Sequence, residues 1–139
     1  MLIALLAAVG AGIIVITAVH TASNYARLPG RVPLHFAFDG TVDGDGPRVM
    51  VWMLVVVQIA VAALFVYIVS LFIRQGLPAR ASIAMTGFGD VMLLLFWRVQ
   101  RLIIETALSA RTRVELRPFW WFFAATMICA IALVAIVSR

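Results

Sequence analysis

Four long apolar runs occupy most of this 139-residue chain and leave no stretch from which a water-soluble core could be assembled. They cover residues 2–21, 49–73, 81–97 and 119–137. A membrane crossing needs about 20 largely apolar residues, and a chain in hydrocarbon must satisfy its own backbone hydrogen bonds, which a helix does within one segment. The second run is broken only by Gln58 and Ser70. The third is short and carries Asp90, and its helical pattern continues through Glu105 to about residue 110. Hydrophobic residues make up 65% of the chain and charged ones 12%, against roughly half and a quarter in a soluble domain. The expected fold is an all-α integral membrane protein, a single domain over 1–139. It has four transmembrane helices and an ordered Pro/Gly-rich loop, 24–48, between the first two.

The first run could also be a secretory signal peptide, since small residues follow it at Thr21 to Ser23. No Lys or Arg precedes it, and its apolar stretch exceeds the roughly 7 to 15 residues of a signal-peptide core, so a retained span is expected. With four crossings, Trp52, Trp97, Trp120 and Trp121 fall at span ends on one side, with Tyr25 near them, where amphipathic rings favour the headgroup level. Pro118 suits the first turn of the fourth helix, where a missing N–H costs nothing.

All eleven basic residues are Arg. Arg27, Arg31, Arg48, Arg98, Arg101, Arg111, Arg113 and Arg117 lie on the side of the first and third loops, against Arg74, Arg80 and Arg139 opposite. The positive-inside rule then places both termini outside the cytoplasm. The net charge of +5 fits anionic lipid headgroups better than nucleic acid, because there is no Lys, no separate basic domain and no zinc or aromatic-platform motif. Cys129 stands alone in an apolar run, offers neither a disulfide nor a thiolate metal site, and reads as a packing residue.

The polar stretch from Leu28 to Arg48, LPGRVPLHFAFDGTVDGDGPR, reads as a signature. Pro29 and Pro33 fix their own φ and push the preceding residues towards extended geometry, so Leu28 to Leu34 should be stiff and non-helical. The Asp-Gly pairs at 39–40, 43–44 and 45–46 read as turns in which Gly40, Gly44 and Gly46 can take positive φ. Leu28, Val32, Phe36 and Phe38 are expected to dip into the membrane interface.

The spacing of Leu28-Pro29, Val32-Pro33, His35-Phe36, Gly40, Asp43-Gly44, Gly46 and Arg48 resembles the domain of unknown function carried by the SdpI-like family of bacterial membrane proteins. The likeness covers the loop and its flanking spans, about a third of the chain. That family usually has Asn after His-Phe and Lys at the closing basic position, where Ala37 and Arg48 stand here, so a side-chain amide is missing. The resemblance implies a multi-pass protein of the bacterial cytoplasmic membrane. It also implies a role like that of the family's namesake, which confers immunity to a secreted peptide toxin and takes part in signalling.

Three readings of His35 with Asp39, Asp43 and Asp45 stand side by side. The Asp residues cap turns while His35 bonds backbone, or the loop contacts a peptide or protein, or the carboxylates hold a hard cation. The spacing does not reproduce a calcium loop, which needs a fuller ligand set ending in a bidentate Glu, so no metal and no cofactor is expected.

The second polar group lies in the third run. At about 100° per residue, Arg98, Arg101 and Glu105 fall within roughly 80° of Asp90, with Arg101 and Glu105 spaced as an i,i+4 pair. Gln58 is a candidate neighbour for Asp90. Such a stripe is either a proton or ion relay, or a helix leaving the bilayer near Trp97 with Asp90 alone held between helices. Ala8 with Gly12, and Ala60, Ala62 and Ala63, are expected to allow close helix approach. His20 reads as an interface residue.

No Ser-His-Asp set, metal-spaced His pair or phosphate loop supports an enzyme. The expected function is peptide or protein binding through the signature loop, for immunity, sensing or regulation. An accessory subunit of a larger membrane complex is the alternative, and a small transporter or channel using Asp90 a third.

Overall fold

The computed structural model describes residues 1–137; Arg139, one of the Arg residues weighed for orientation, lies outside the described residues. The first apolar run forms α1, Leu2–Tyr25. It continues one turn past its expected end, where Ser23 Oγ and Asn24 Nδ2 donate to the His20 carbonyl at 3.0 and 2.8 Å. A short 3₁₀ turn, Arg48–Met50, leads into α2, Val51–Arg74. The third run and its polar extension form a single continuous helix, α3, Ala79–Ser109, which stops at Ala110 in the left-handed conformation. Helix α4, Arg117–Val137, has Pro118 in its first turn.

Two segments, Leu2–Tyr25 and Arg48–Arg74, are long and apolar enough to cross a membrane, and Phe119–Leu133 is a shorter apolar helix. Only 17% of the apolar window in each of the two long segments is buried, which is unlike the core helix of a soluble protein. Helix α3 packs against all three other helices. Its 31 residues span about 46 Å at 1.5 Å per residue, well beyond a hydrocarbon layer of about 30 Å.

The connection between α1 and α2 is not a loop but an antiparallel β-hairpin of β1, Arg31–Phe36, and β2, Val42–Pro47, so the chain is not all-α. The strands pair Arg31 with Pro47, Val32 with Gly46 and Pro33 with Asp45, and after an irregularity at Leu34 pair His35 with Gly44 and Phe36 with Val42. Side chains alternate as in any strand. Arg31, His35, Asp43 and Asp45 are exposed, while Val32 is buried and Leu34 and Phe36 are half-buried. That inner face packs on α3, so Val32 joins Leu28, Val51, Ile103 and Ile104 in one core cluster. Leu28 and Val32 therefore seal the hairpin onto the bundle and do not reach outward to the interface.

Only one of the three Asp-Gly pairs makes a turn. At Asp39-Gly40 the Gly40 amide donates to the Ala37 carbonyl at 2.9 Å, and Gly40 has φ of +85°. Gly44 and Gly46 lie inside β2 without positive φ. They serve close approach instead: a Cβ at Gly44 would come within 3.0 Å of the His35 Cβ, and one at Gly46 would meet the Leu34 side chain.

The segment linking α3 to α4 docks on the hairpin tip. The Val42 amide donates to the Thr112 carbonyl and the Val114 amide to the Gly40 carbonyl, both at 2.9 Å. The first and third connections thus share one end of the bundle.

Candidate functional site

Three exposed carboxylates in the hairpin each have a separate partner, because strand alternation brings all but the turn residue to one face. Arg31 Nε donates to Asp45 Oδ2 at 2.6 Å while Nη2 reaches Oδ1 at 3.0 Å, a bidentate fork across the strands. The Asp45 bond raises the Arg31 pKa, and the same bond pulls the Asp45 carboxyl below the usual carboxylate range. His35 Nδ1 and Asp43 Oδ1 lie 2.5 Å apart. Asp39 Oδ1 accepts from the Thr41 hydroxyl at 2.7 Å and the Thr41 amide at 3.0 Å, and these bonds lower its pKa. The three Asp side chains do not converge, and His35 bonds a carboxylate across the hairpin and not backbone.

The remaining signature residues have structural placements. Pro33 is buried and Pro29 exposed. The Arg48 amide closes the base of the hairpin on the Gly30 carbonyl at 3.0 Å, and its guanidinium lies 5.1 Å from the centre of the Tyr25 ring. Phe36 turns inward. Phe38, 88% exposed, stacks on Trp120 of α4 at 5.9 Å. Between hairpin and α4 this leaves a groove of about 430 Å³ lined by His35, Phe36, Phe38, Leu102, Phe119 and Trp120.

The polar stripe of α3 does not hold together as one site. Arg101 and Glu105 are exposed and paired at 2.6 Å, with the Arg101 guanidinium 5.8 Å from the Trp97 ring centre. Arg98 is half-buried. Asp90 is buried between α1 and α2, and a Cβ added at Gly10 would come within 2.6 Å of its Oδ1. Gln58 does not bond it: Gln58 Nε2 donates to the Leu93 carbonyl at 3.0 Å. Close helix approach occurs at Gly10 and at Gly89, which faces Phe65. Ala8, Ala60 and Ala63 are exposed, Ala62 lines a cavity, and Gly12 has no neighbour within 4 Å. Cys129 also points outward.

Gln100 escapes the sequence reading and joins α3 to two other helices. Fully buried, its Nε2 donates to the Thr21 hydroxyl of α1 and to the Val51 carbonyl of α2, each at 2.9 Å. The signal lay in the spacing of Asp90, Leu93, Trp97, Gln100 and Ile104, which places Gln100 on the face that packs, turned away from Arg98, Arg101 and Glu105.

Residues 12–59 match the sequence profile of a domain of unknown function (DUF1648). The match runs from the middle of α1 through the whole hairpin into α2. No curated protein and no solved structure is detectably similar to the chain.

Proposed function

We propose that the chain is a four-span protein of the bacterial cytoplasmic membrane, akin to the SdpI-like family. In this reading it binds a peptide or protein partner at its hairpin end, for immunity, sensing or regulation and without catalysis. The observation that carries this reading is the aromatic groove between hairpin and α4. Aromatic rings supply large contact area with few torsions to freeze, and they concentrate at binding hot spots. The exposed His35–Asp43 pair beside the groove adds a polar rim that orients an occupant. Four spans follow if α3 crosses over its apolar first half and carries its polar end into the hairpin layer, and if the 21-residue α4, about 32 Å long, crosses as well. The outward apolar residues of α1, α2 and α4 then face lipid.

The test is a photoreactive p-benzoylphenylalanine at position 38, irradiated in native membranes and analysed by mass spectrometry. The expected result is one discrete peptide or protein adduct. It is lost in Trp120→Ala, which removes a groove wall, and is not formed from a probe at Arg74 at the far end. Lipid adducts alone at position 38 defeat the proposal.

A second reading, an accessory subunit of a larger membrane complex, draws on the exposed Leu5, Val15 and Val19 of α1 and the exposed Trp121, Ile128 and Ile131 of α4 as docking faces. Migration as a free monomer or homo-oligomer after mild detergent extraction counts against it.

A further inference from the structure

At the end of the bundle away from the hairpin, α1, α2 and α3 enclose a cavity of about 400 Å³. Its walls are mainly apolar, from Ile3, Ala7 and Ile14 on α1 to Phe65 and Val69 on α2; the Ser70 and Thr86 hydroxyls that also line it each donate to a backbone carbonyl, and among its described lining residues no Arg, Lys or His occurs. A single carboxylate, Asp90, lines it. Asp90 is only 9% exposed, and its Oδ2 has no hydrogen-bond partner among the described residues. The neighbouring side chain that could have answered it, Gln58, is committed to the Leu93 carbonyl. Val66 and Ile73 of α2, which line it, are 64% and 60% exposed, so its rim reaches the outer surface of the bundle there.

We infer that this cavity is a binding site for a small hydrophobic amine, an ammonium group on a compact apolar body, held by Asp90. Beside Asp90 the walls offer a strongly hydrated ion only the Ser70 and Thr86 hydroxyls, each already bonded to a backbone carbonyl, too few ligands to replace its water. They also offer an anion no cation or convergent donors. A lone carboxylate at membrane depth is costly unless it meets an opposite charge, and an apolar cavity with a few well-placed polar groups is the ordinary form of a small-ligand site. With the mouth lined by exposed Val66 and Ile73, a ligand arriving from hydrocarbon must itself be largely apolar. Gly10 keeps the site open, since a side chain there would occupy the space of the Asp90 carboxylate. The membrane placement rests on the four-span reading; the cavity and its unpartnered carboxylate do not.

The probe is adamantan-1-amine, with adamantan-1-ol as its uncharged twin of the same shape, titrated into purified protein in nanodiscs by calorimetry. The amine should bind saturably at one site, and the alcohol at least about tenfold more weakly, the margin of one charge-assisted hydrogen bond. Asp90→Asn should bring the amine down to the level of the alcohol. Ala62→Phe, which fills the cavity and leaves Asp90 in place, should abolish binding of both, and it decides the matter if Asp90→Asn fails to fold. Equal binding of amine and alcohol overturns the inference, as does amine binding that survives Ala62→Phe or a folded Asp90→Asn.

Discussion

Replacing Gly40 by Ala should release the hairpin tip from the α3–α4 connection. Gly40 has φ of +85°, and an added Cβ would overlap the carbonyl of Val114, a backbone atom that no side-chain rotation can move aside. The left-handed backbone alone costs a side-chain-bearing residue about 1–2 kcal/mol. Relieving the overlap must also break the 2.9 Å bond from the Val114 amide to the Gly40 carbonyl, worth about 1 kcal/mol. The sum is about 2–3 kcal/mol, or about 30- to 150-fold in the local opening equilibrium. Amide hydrogen exchange of Val42 and Val114 in nanodiscs reads this directly, because both amides bond across the contact between the hairpin tip and the docked segment. Gly12→Ala is the control, with open space around its Cβ and a gain in helix propensity. If exchange at Val42 and Val114 is as slow in Gly40→Ala as in the parent, the hairpin tip is not held by this contact. The geometry of the aromatic groove would then need another source.

Gln100→Leu should destabilise the bundle by about 1–2 kcal/mol in mixed-micelle unfolding, two interhelical bonds at about 0.6–1 kcal/mol each, and should be non-additive with Thr21→Val. Ala110→Gly should raise the unfolding free energy by up to about 1 kcal/mol, read as a higher unfolding midpoint, because Ala110 ends α3 at φ of +50°. Asp39 and Asp45 have folded pKa values below the unfolded value of about 3.9. Their ion-pair and turn bonds therefore stabilise the hairpin above that pH and are lost as pH falls through the lowered values. Carboxyl-carbon NMR titration should show both midpoints depressed, with Thr41→Val raising that of Asp39 part of the way, since the backbone amide bond remains, and Arg31→Gln raising that of Asp45. Single Cys probes at Thr41 and Thr112, in a Cys129→Ser background, should label from the same side of the membrane; labelling from opposite sides removes the four-span reading.

The helices were legible because apolar runs of this length allow few structures other than helices, and the continuation of the third run past Trp97 kept a helical period. The hairpin was not legible. Its second strand reads VDGDGP, composed of residues that disfavour strands, and Asp-Gly repeats signal turns. What makes it a strand is tertiary: Gly44 and Gly46 let it lie against His35 and Leu34, and the bond from the Val42 amide to Thr112 continues the pairing beyond the hairpin. The groove was illegible for the same reason, since Phe38 and Trp120 are 82 residues apart in the chain and meet only when the tip docks. The charged stripe misled in the opposite way. Angular proximity to Asp90 on a helical wheel joined groups that lie up to four turns apart along α3, where Asp90 is enclosed and Arg101 is not.

Apolar helices that face lipid gain little from burying further apolar surface against one another, so their register has to be set by small residues and polar contacts. In this bundle α3 supplies the fixed points at three levels. Asp90 sits against Gly10 of α1, the Leu93 carbonyl takes the Gln58 amide of α2, and Gln100 joins α1 to α2 through Thr21 and Val51. Sliding α1 by one turn would part the Thr21 hydroxyl from Gln100 and drive a side chain into Asp90. The level of Asp90 does not close on itself: its Oδ2 has no hydrogen-bond partner among the described residues. Gln58 Oε1 and Gln100 Oε1 are also buried without a partner among the described residues, but Asp90 Oδ2 is the carboxylate oxygen in that set, and it lies where the cavity does. One helix thus carries a firm platform for the hairpin and, seven residues nearer its start than Trp97, a carboxylate left available to a ligand.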